Sequence, residues 1–150
     1  MSKKIQDITY GMTIDHIPVG EVTKVYEVLK EAVNANGDYN MLMGEVESRR
    51  MGRKGIIKID GFHVEEGHLH GVGILAPRAT VNWIQNSSVV RKEQALKLLP
   101  ALIESGLIEC ANNNCISRGE APGKFHLLDR DRLAVECYYC HGEFPLQERI

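Results

Sequence analysis

Four cysteines constrain this chain more than any other feature, and all of them lie in its last third. Cys110 and Cys115 are separated by Ala-Asn-Asn-Asn, Cys137 and Cys140 by two tyrosines, with about twenty residues between the pairs. Two close pairs across such a gap suit a tetrahedral zinc ion, each pair sitting on a tight turn so that its sulfurs converge. The same residues are open to two other readings. Disulfides need an oxidising compartment, to which the chain shows no route, and a redox-active Cys137-x-x-Cys140 normally accompanies a βαβ unit that is absent around it. Four thiolates leave no open coordination position, so a zinc held by all four is structural, one ion per chain. A lobe of about fifty residues rarely builds a sufficient core alone and commonly relies on such a metal. His126 and His141 lie nearby, as spare ligands or as ordinary surface histidines.

The cysteine-bearing part begins after Leu96-Lys-Leu-Leu-Pro100, which reads as a junction, and the chain divides there into residues 1–99 and 100–150. The first part reads as mixed strands and helices. Thr13 to Ile17 alternates around Ile14 and stops at Pro18, as a strand would. From Glu21 the spacing changes: Val22, Val25, Tyr26, Leu29, Ala32 and Val33 recur at helical intervals, with Lys24, Glu27, Lys30 and Glu31 opposite. Asn36-Gly37 supplies the left-handed residues that end a helix. Strands are expected at Tyr39 to Val46 and Gly55 to Asp60, joined by a turn at Glu47 to Arg50. A glycine-rich helix is expected over His63 to Ala76, then strands at Ala79 to Ile84 and Ser88 to Arg91 with Asn86-Ser87 as the turn. In the second part, Lys124 to Leu128 and Leu133 to Val135 are strand candidates.

The net charge of −2 argues against broad nucleic-acid binding, which needs a basic excess. No run approaches the ~20 apolar residues of a membrane span, and no signal peptide opens the chain, which gives a cytoplasmic reading. Lys54, Lys58, Asn82 and Lys92 fall on or beside the expected strands, with Asp15 and His16 on the first. Lysines converging across a sheet hold phosphates as point charges, although each alone reads more often as a solvated surface charge. There is no Walker loop, no G-x-G-x-x-G, no G-x-S-x-G and no H-E-x-x-H, so neither a familiar phosphate loop nor a catalytic constellation is present. His68 and His70 have no partner in the pattern and read as surface residues.

Motifs from both halves resemble one family in order and spacing. Gly11-Met-Thr-Ile-Asp-His-Ile-Pro18, Met51-Gly-Arg-Lys-Gly-Ile-Ile-Lys-Ile59, Ala76-Pro-Arg-Ala-Thr-Val-Asn82, Val89-Val90-Arg-Lys92 and the cysteine pairs are similar to the regulatory chain of aspartate carbamoyltransferase. The resemblance implies an α+β fold: an N-terminal antiparallel sheet with two helices that binds nucleotide, then a small β-rich four-cysteine zinc domain. It implies a non-catalytic subunit that dimerises and bridges catalytic chains through its zinc domain, inhibited through CTP (with UTP in some members) and activated through ATP at one shared site. By motif, Asp15 and His16 would contact base or ribose, Lys58 the sugar and phosphates, and Lys92 the phosphates. Asn82 would line the pocket and Lys54 would shape the response. The segment before Gly11 would offer backbone groups to the base. Asn112 and Asn114 are candidates for reaching the catalytic chain, or turn residues that shape the metal loop. The competing reading is a zinc-ribbon nucleic-acid-binding protein, against which the acidic balance and the lack of basic residues around Tyr138-Tyr139 both count.

Overall fold

The computed structural model describes residues 8–34, 40–49, 52–119 and 121–146. Its packing divides the chain into two units, Met1–Leu98 and Leu99–Ile150. In the first, the order is β1 (Gly11–Ile17), a 3-10 turn (Val19–Glu21), α1 (Val22–Asn34), β2 (Asn40–Ser48), β3 (Gly52–Asp60), α2 (Glu66–Leu75), β4 (Thr80–Gln85), β5 (Ser88–Gln94) and a second 3-10 turn (Ala95–Leu98). The strands form one sheet in the order β2-β3-β1-β4-β5, antiparallel at every pairing.

Alternation sorts this sheet into two faces. Met12, Ile14, Ile57, Ile59, Val81 and Trp83 share one face and form a single core with Val22, Val25 and Leu29 of α1 and Leu69, Val72 and Leu75 of α2. Both helices therefore cover that face, and residues such as Thr13, Lys58 and Asn82 belong to the other.

Helix α1 begins at Val22, the first residue of its apolar spacing, and Glu21 closes the preceding 3-10 turn by donating its amide to the Pro18 carbonyl. The expected stop at Asn36-Gly37 lies outside the described residues, as do Tyr39, Arg50 and Met51. Helix α2 is shorter than His63 to Ala76. Its first expected turn is extended because the Val64 amide bonds to the Met12 sulfur and His63 stacks on Tyr10, which ties that stretch to the sheet. The β2–β3 hairpin is longer than expected, with Glu47 and Ser48 in the strand rather than the turn. Arg53 reaches across it to Glu45 and Glu47. Strand β5 likewise runs on to Gln94. Between β4 and β5, Asn86 and Ser87 both take positive φ, 51° and 64°, the pattern of a two-residue hairpin turn.

The second unit is a four-stranded antiparallel sheet, β6 (Leu102–Glu104), β7 (Lys124–Asp129), β8 (Ala134–Cys137) and β9 (Glu143–Pro145), in that order. Ile103, Phe125, Leu133, Val135, Phe144 and Leu146 are buried, and Phe125 meets Phe144 edge-on at 5.8 Å. The chain is thus α+β, with antiparallel sheets, two helices and a small β-rich unit carrying the cysteines. Among the described residues no helix is long and apolar enough to cross a membrane.

Candidate functional site

Two constellations stand out, one in each unit. In the second unit Cys137 ends β8 and Cys140 follows in the turn before β9, while Cys110 and Cys115 lie on the loop between β6 and β7. Their four Sγ atoms lie within 4.8 Å of one another. Cys110 and Cys140 are 3.6 Å apart, as are Cys115 and Cys137. A regular tetrahedron with zinc–sulfur bonds of about 2.3 Å has edges of about 3.8 Å, so the cluster already has the size of a zinc site. Disulfide sulfurs approach to about 2.05 Å, and all four cysteines here are free. His126 and His141 are exposed and stand outside the cluster.

The loop is built to hold this geometry. The Asn112 amide points at the Cys110 sulfur at 3.5 Å, and the Asn114 amide donates to Asn112 Oδ1 at 3.0 Å, closing an Asx turn. Arg118 donates to the Cys110 carbonyl at 2.6 Å and pairs with Glu109 at 2.7 Å. Burial pushes the Cys110 thiol up to about 12. Burial also works against Cys115, but hydrogen bonds from the Ser117 hydroxyl and amide outweigh it and bring that thiol down to about 7. A divalent ion at the centre reverses this balance, because metal binding draws the protons off. An open concavity of 420 Å³ lies beside the loop, lined by Asn113, Asn114, Cys115, Ile116, Arg118 and Gly119.

In the first unit the helix-free face of the sheet carries a row of directly paired residues. Lys58 of β3 sits opposite Thr13 of β1, Thr13 opposite Asn82 of β4, and Asn82 opposite Lys92 of β5. Thr13 is 1% exposed and accepts a hydrogen bond from Asn82 Nδ2 at 3.0 Å, which fixes the amide's orientation. Farther along the strands, Asp15 and Thr80 (two residues on) and Lys54 (four residues on) emerge on the same face. Lys54 Nζ lies 2.9 and 3.0 Å from the two Asp15 oxygens. His16 would alternate to the helix-covered face, but it lies in a β-bulge: between Ile14 and Ile17 the pairing with β3 shifts by one residue. At φ 61° the bulge re-aims the His16 ring, whose Nδ1 lies 3.3 Å from the Thr80 hydroxyl. Asp15, His16, Lys54, Lys58, Asn82 and Lys92, far apart in sequence, therefore share one face. His68 is exposed on α2, and His70 is half-buried with its pKa lowered by burial, against the opposing pull of Glu66.

Residues 3–96 match the family described as the aspartate carbamoyltransferase regulatory chain, allosteric domain, and residues 104–149 match the same chain's metal binding domain. The chain belongs to the family of aspartate carbamoyltransferase regulatory chains. It is 39% identical over 146 residues to the aspartate carbamoyltransferase regulatory chain of Pyrococcus abyssi, covering 97% of this chain and 94% of the relative. The corresponding chain of Pyrococcus horikoshii is 38% identical with the same coverage. That of Hyperthermus butylicus is 36% identical over 139 residues, 91% of this chain and 84% of the relative. The family's metal binding domain contains the four-cysteine cluster, which fits zinc, and its allosteric domain contains the six-residue face. These matches favour the regulatory family over the zinc-ribbon nucleic-acid reading.

Sequence reasoning missed three contributors. Thr80 and Thr13 were legible as polar residues two apart from Asn82 and Asp15 on otherwise apolar strands. Arg118 carried no such signal, because its partner is a backbone carbonyl.

Proposed function

We propose that this chain is the non-catalytic regulatory subunit of an aspartate carbamoyltransferase, acting in the cytoplasm as a homodimer that bridges catalytic chains. The observation that carries this reading is the match of both units, in order, to the two domains of one regulatory chain. In this reading residues 1–99 bind the effector, CTP as inhibitor and ATP as activator at one shared site, and residues 100–150 contact the catalytic chain.

The open face supplies what such a site requires. Lys92 and Lys58 place positive charge at the two ends of the row, with the oriented Asn82 amide between them as a hydrogen-bonding group for phosphate or ribose. Asp15 and His16, turned outward by the bulge, reach base or ribose, and Lys54 holds the Asp15 carboxylate in place. Cys110, Cys115, Cys137 and Cys140 hold the zinc, which supplies charge compensation and a fixed crosslink rather than chemistry. Asn112 and Asn114, which shape the metal loop through their Asx turn, are also taken as the groups that meet the partner. Effectors bound here regulate only through unequal affinity for the two states of the assembly.

The test is assembly. Mixed with the catalytic subunit from the same source, the zinc-loaded chain is expected to sediment as a complex larger than either component, and chelation is expected to dissociate it. Separate sedimentation of the zinc-loaded chain and the catalytic subunit would overturn the reading.

A further inference from the structure

The nucleotide-site residues named so far cover only one part of the open face. One step along the strands from the Lys58–Thr13–Asn82–Lys92 row lies a second row, Asp60 opposite Gly11, Gly11 opposite Ile84, and Ile84 opposite Val89. Between the two row ends this one is apolar: Ile84 is buried, and Val89 is 53% exposed. Ile8 is 3% exposed, and its Cγ2 lies 3.1 Å from where a Gly11 Cβ would stand, so Ile8 packs onto this row.

That segment is fastened on both sides. The Thr9 carbonyl accepts from the Ser87 amide at 2.9 Å, at the β4–β5 turn, and the Tyr10 carbonyl accepts from the Gly61 amide at 2.7 Å, at the end of β3. A side-chain clasp reinforces it. The Tyr10 and His63 rings stack with centroids 4.1 Å apart and planes 13° from parallel. His63 Nε2 lies 3.0 Å from the Ile84 carbonyl oxygen. That oxygen only accepts, so Nε2 is the donor. One histidine thus joins the incoming segment, the loop after β3 and the last turn of β4, and the residue it grips on β4 is the apolar row's own Ile84.

We propose that Tyr10 and His63 are positioning residues that set which nucleobase the open face accepts. This rests on the reading of that face as a nucleotide site. The charged row takes the phosphates and ribose, which are common to all nucleotides and carry no base information. The flat, apolar base is then left to the exposed edge of that row at Val89, beside the buried Ile8 and Ile84. Apolar contact accepts any base, so discrimination comes from the backbone groups that border this edge. Their position follows from where the clasp holds the Ile8–Tyr10 segment relative to Ile84.

The test uses the full-length, zinc-loaded chain, titrated calorimetrically with CTP, ATP and inorganic tripolyphosphate. Tyr10→Ala removes the stack, Tyr10→Phe keeps it, and His63→Phe keeps a ring while deleting the donor to Ile84. The Tyr10→Ala and His63→Phe changes are expected to shift the CTP-to-ATP affinity ratio by about fivefold, the worth of one hydrogen bond or stack, while tripolyphosphate affinity stays within roughly twofold. Tyr10→Phe is expected to restore the native ratio. Trp83, on the opposite, helix-covered face, reports by its emission that each variant is folded; should Tyr10→Ala not fold, His63→Phe decides. An unchanged ratio in folded variants would overturn the proposal, as would a parallel loss of tripolyphosphate, which signals a merely structural role. A native chain that binds neither nucleotide would remove the nucleotide-site reading itself, and the proposal with it.

Discussion

Stripping the metal from the C-terminal unit is expected to unfold that unit and leave the N-terminal one standing. The four Sγ atoms lie within 4.8 Å of one another, and Cys137 is fully buried between β7 and β9. Binding of a structural zinc by such a set contributes about 10–16 kcal/mol near neutral pH, as much as the about 5–15 kcal/mol by which a whole domain is usually stable. No alternative staple is present, since all four cysteines are free. The N-terminal unit has its own core, formed between Met12 and Leu98 without any cysteine. Tryptophan emission reports on the N-terminal unit alone. The single tryptophan, Trp83, is 6% exposed in the N-terminal core, while Phe125, Tyr138, Tyr139 and Phe144 all belong to the other unit. On adding a chelator, near-ultraviolet dichroism from the C-terminal aromatics is expected to collapse while Trp83 emission stays unshifted. One zinc is expected to leave as four thiols become reactive. Cys137→Ser is expected to give the same state without chelator. Retained amide protection around Phe125 and Val135 in the metal-free chain would refute the reasoning, and a red shift of Trp83 in step with zinc loss would refute the independence of the two cores.

Arg118→Ala removes the hydrogen bond to the Cys110 carbonyl and the contact with Glu109, and is expected to lower zinc affinity about tenfold in competition with a chelating dye. Lys54→Met leaves the Asp15 carboxylate, 19% exposed, without its ion pair; a loss of about 1–3 kcal/mol is expected in urea unfolding followed at Trp83. Arg53→Ala, at a fully solvated pair, is expected to leave that midpoint where it was. Gly11→Ala would put a Cβ 2.0 Å from the Ile59 carbonyl oxygen, and parting β1 from β3 to relieve it is expected to cost more than about 2 kcal/mol in the same assay. Lys92→Ala is expected to weaken CTP, ATP and tripolyphosphate alike by roughly tenfold in calorimetry, because a point charge acts on the phosphates and not on the base.

What could be read from the sequence was whatever one element determines by itself. Val22, Val25, Tyr26 and Leu29 announce α1 because the helical period needs no partner, and the cysteine spacing announces the metal cluster because each pair closes on a local turn. Strands β6 and β9 were invisible: at three residues each they are too short to alternate, and they exist because β7 and β8 offer them edges. That Lys58, Asn82 and Lys92 share one face and one row is a matter of register between four strands, which local pattern does not encode. The outward turn of His16 depends on a bulge whose left-handed residue is not a glycine. Tyr10 precedes β1 and His63 follows β3, far apart in sequence, and they meet at one end of the β1–β3 pairing only once the sheet has formed. The start of α2 was misplaced for a similar reason, since contacts of Val64 and His63 with the sheet outweigh local helical preference there.

The most direct test of the regulatory reading is the rate of carbamoyl-aspartate formation by the catalytic subunit from the same source at subsaturating aspartate, with and without this chain and with CTP or ATP added. CTP is expected to lower and ATP to raise the rate only when the zinc-loaded chain is present, and Lys58→Ala with Lys92→Ala is expected to abolish both effects while assembly persists. Nucleotide effects that are absent with the chain, or equally present without it, would contradict the regulatory reading.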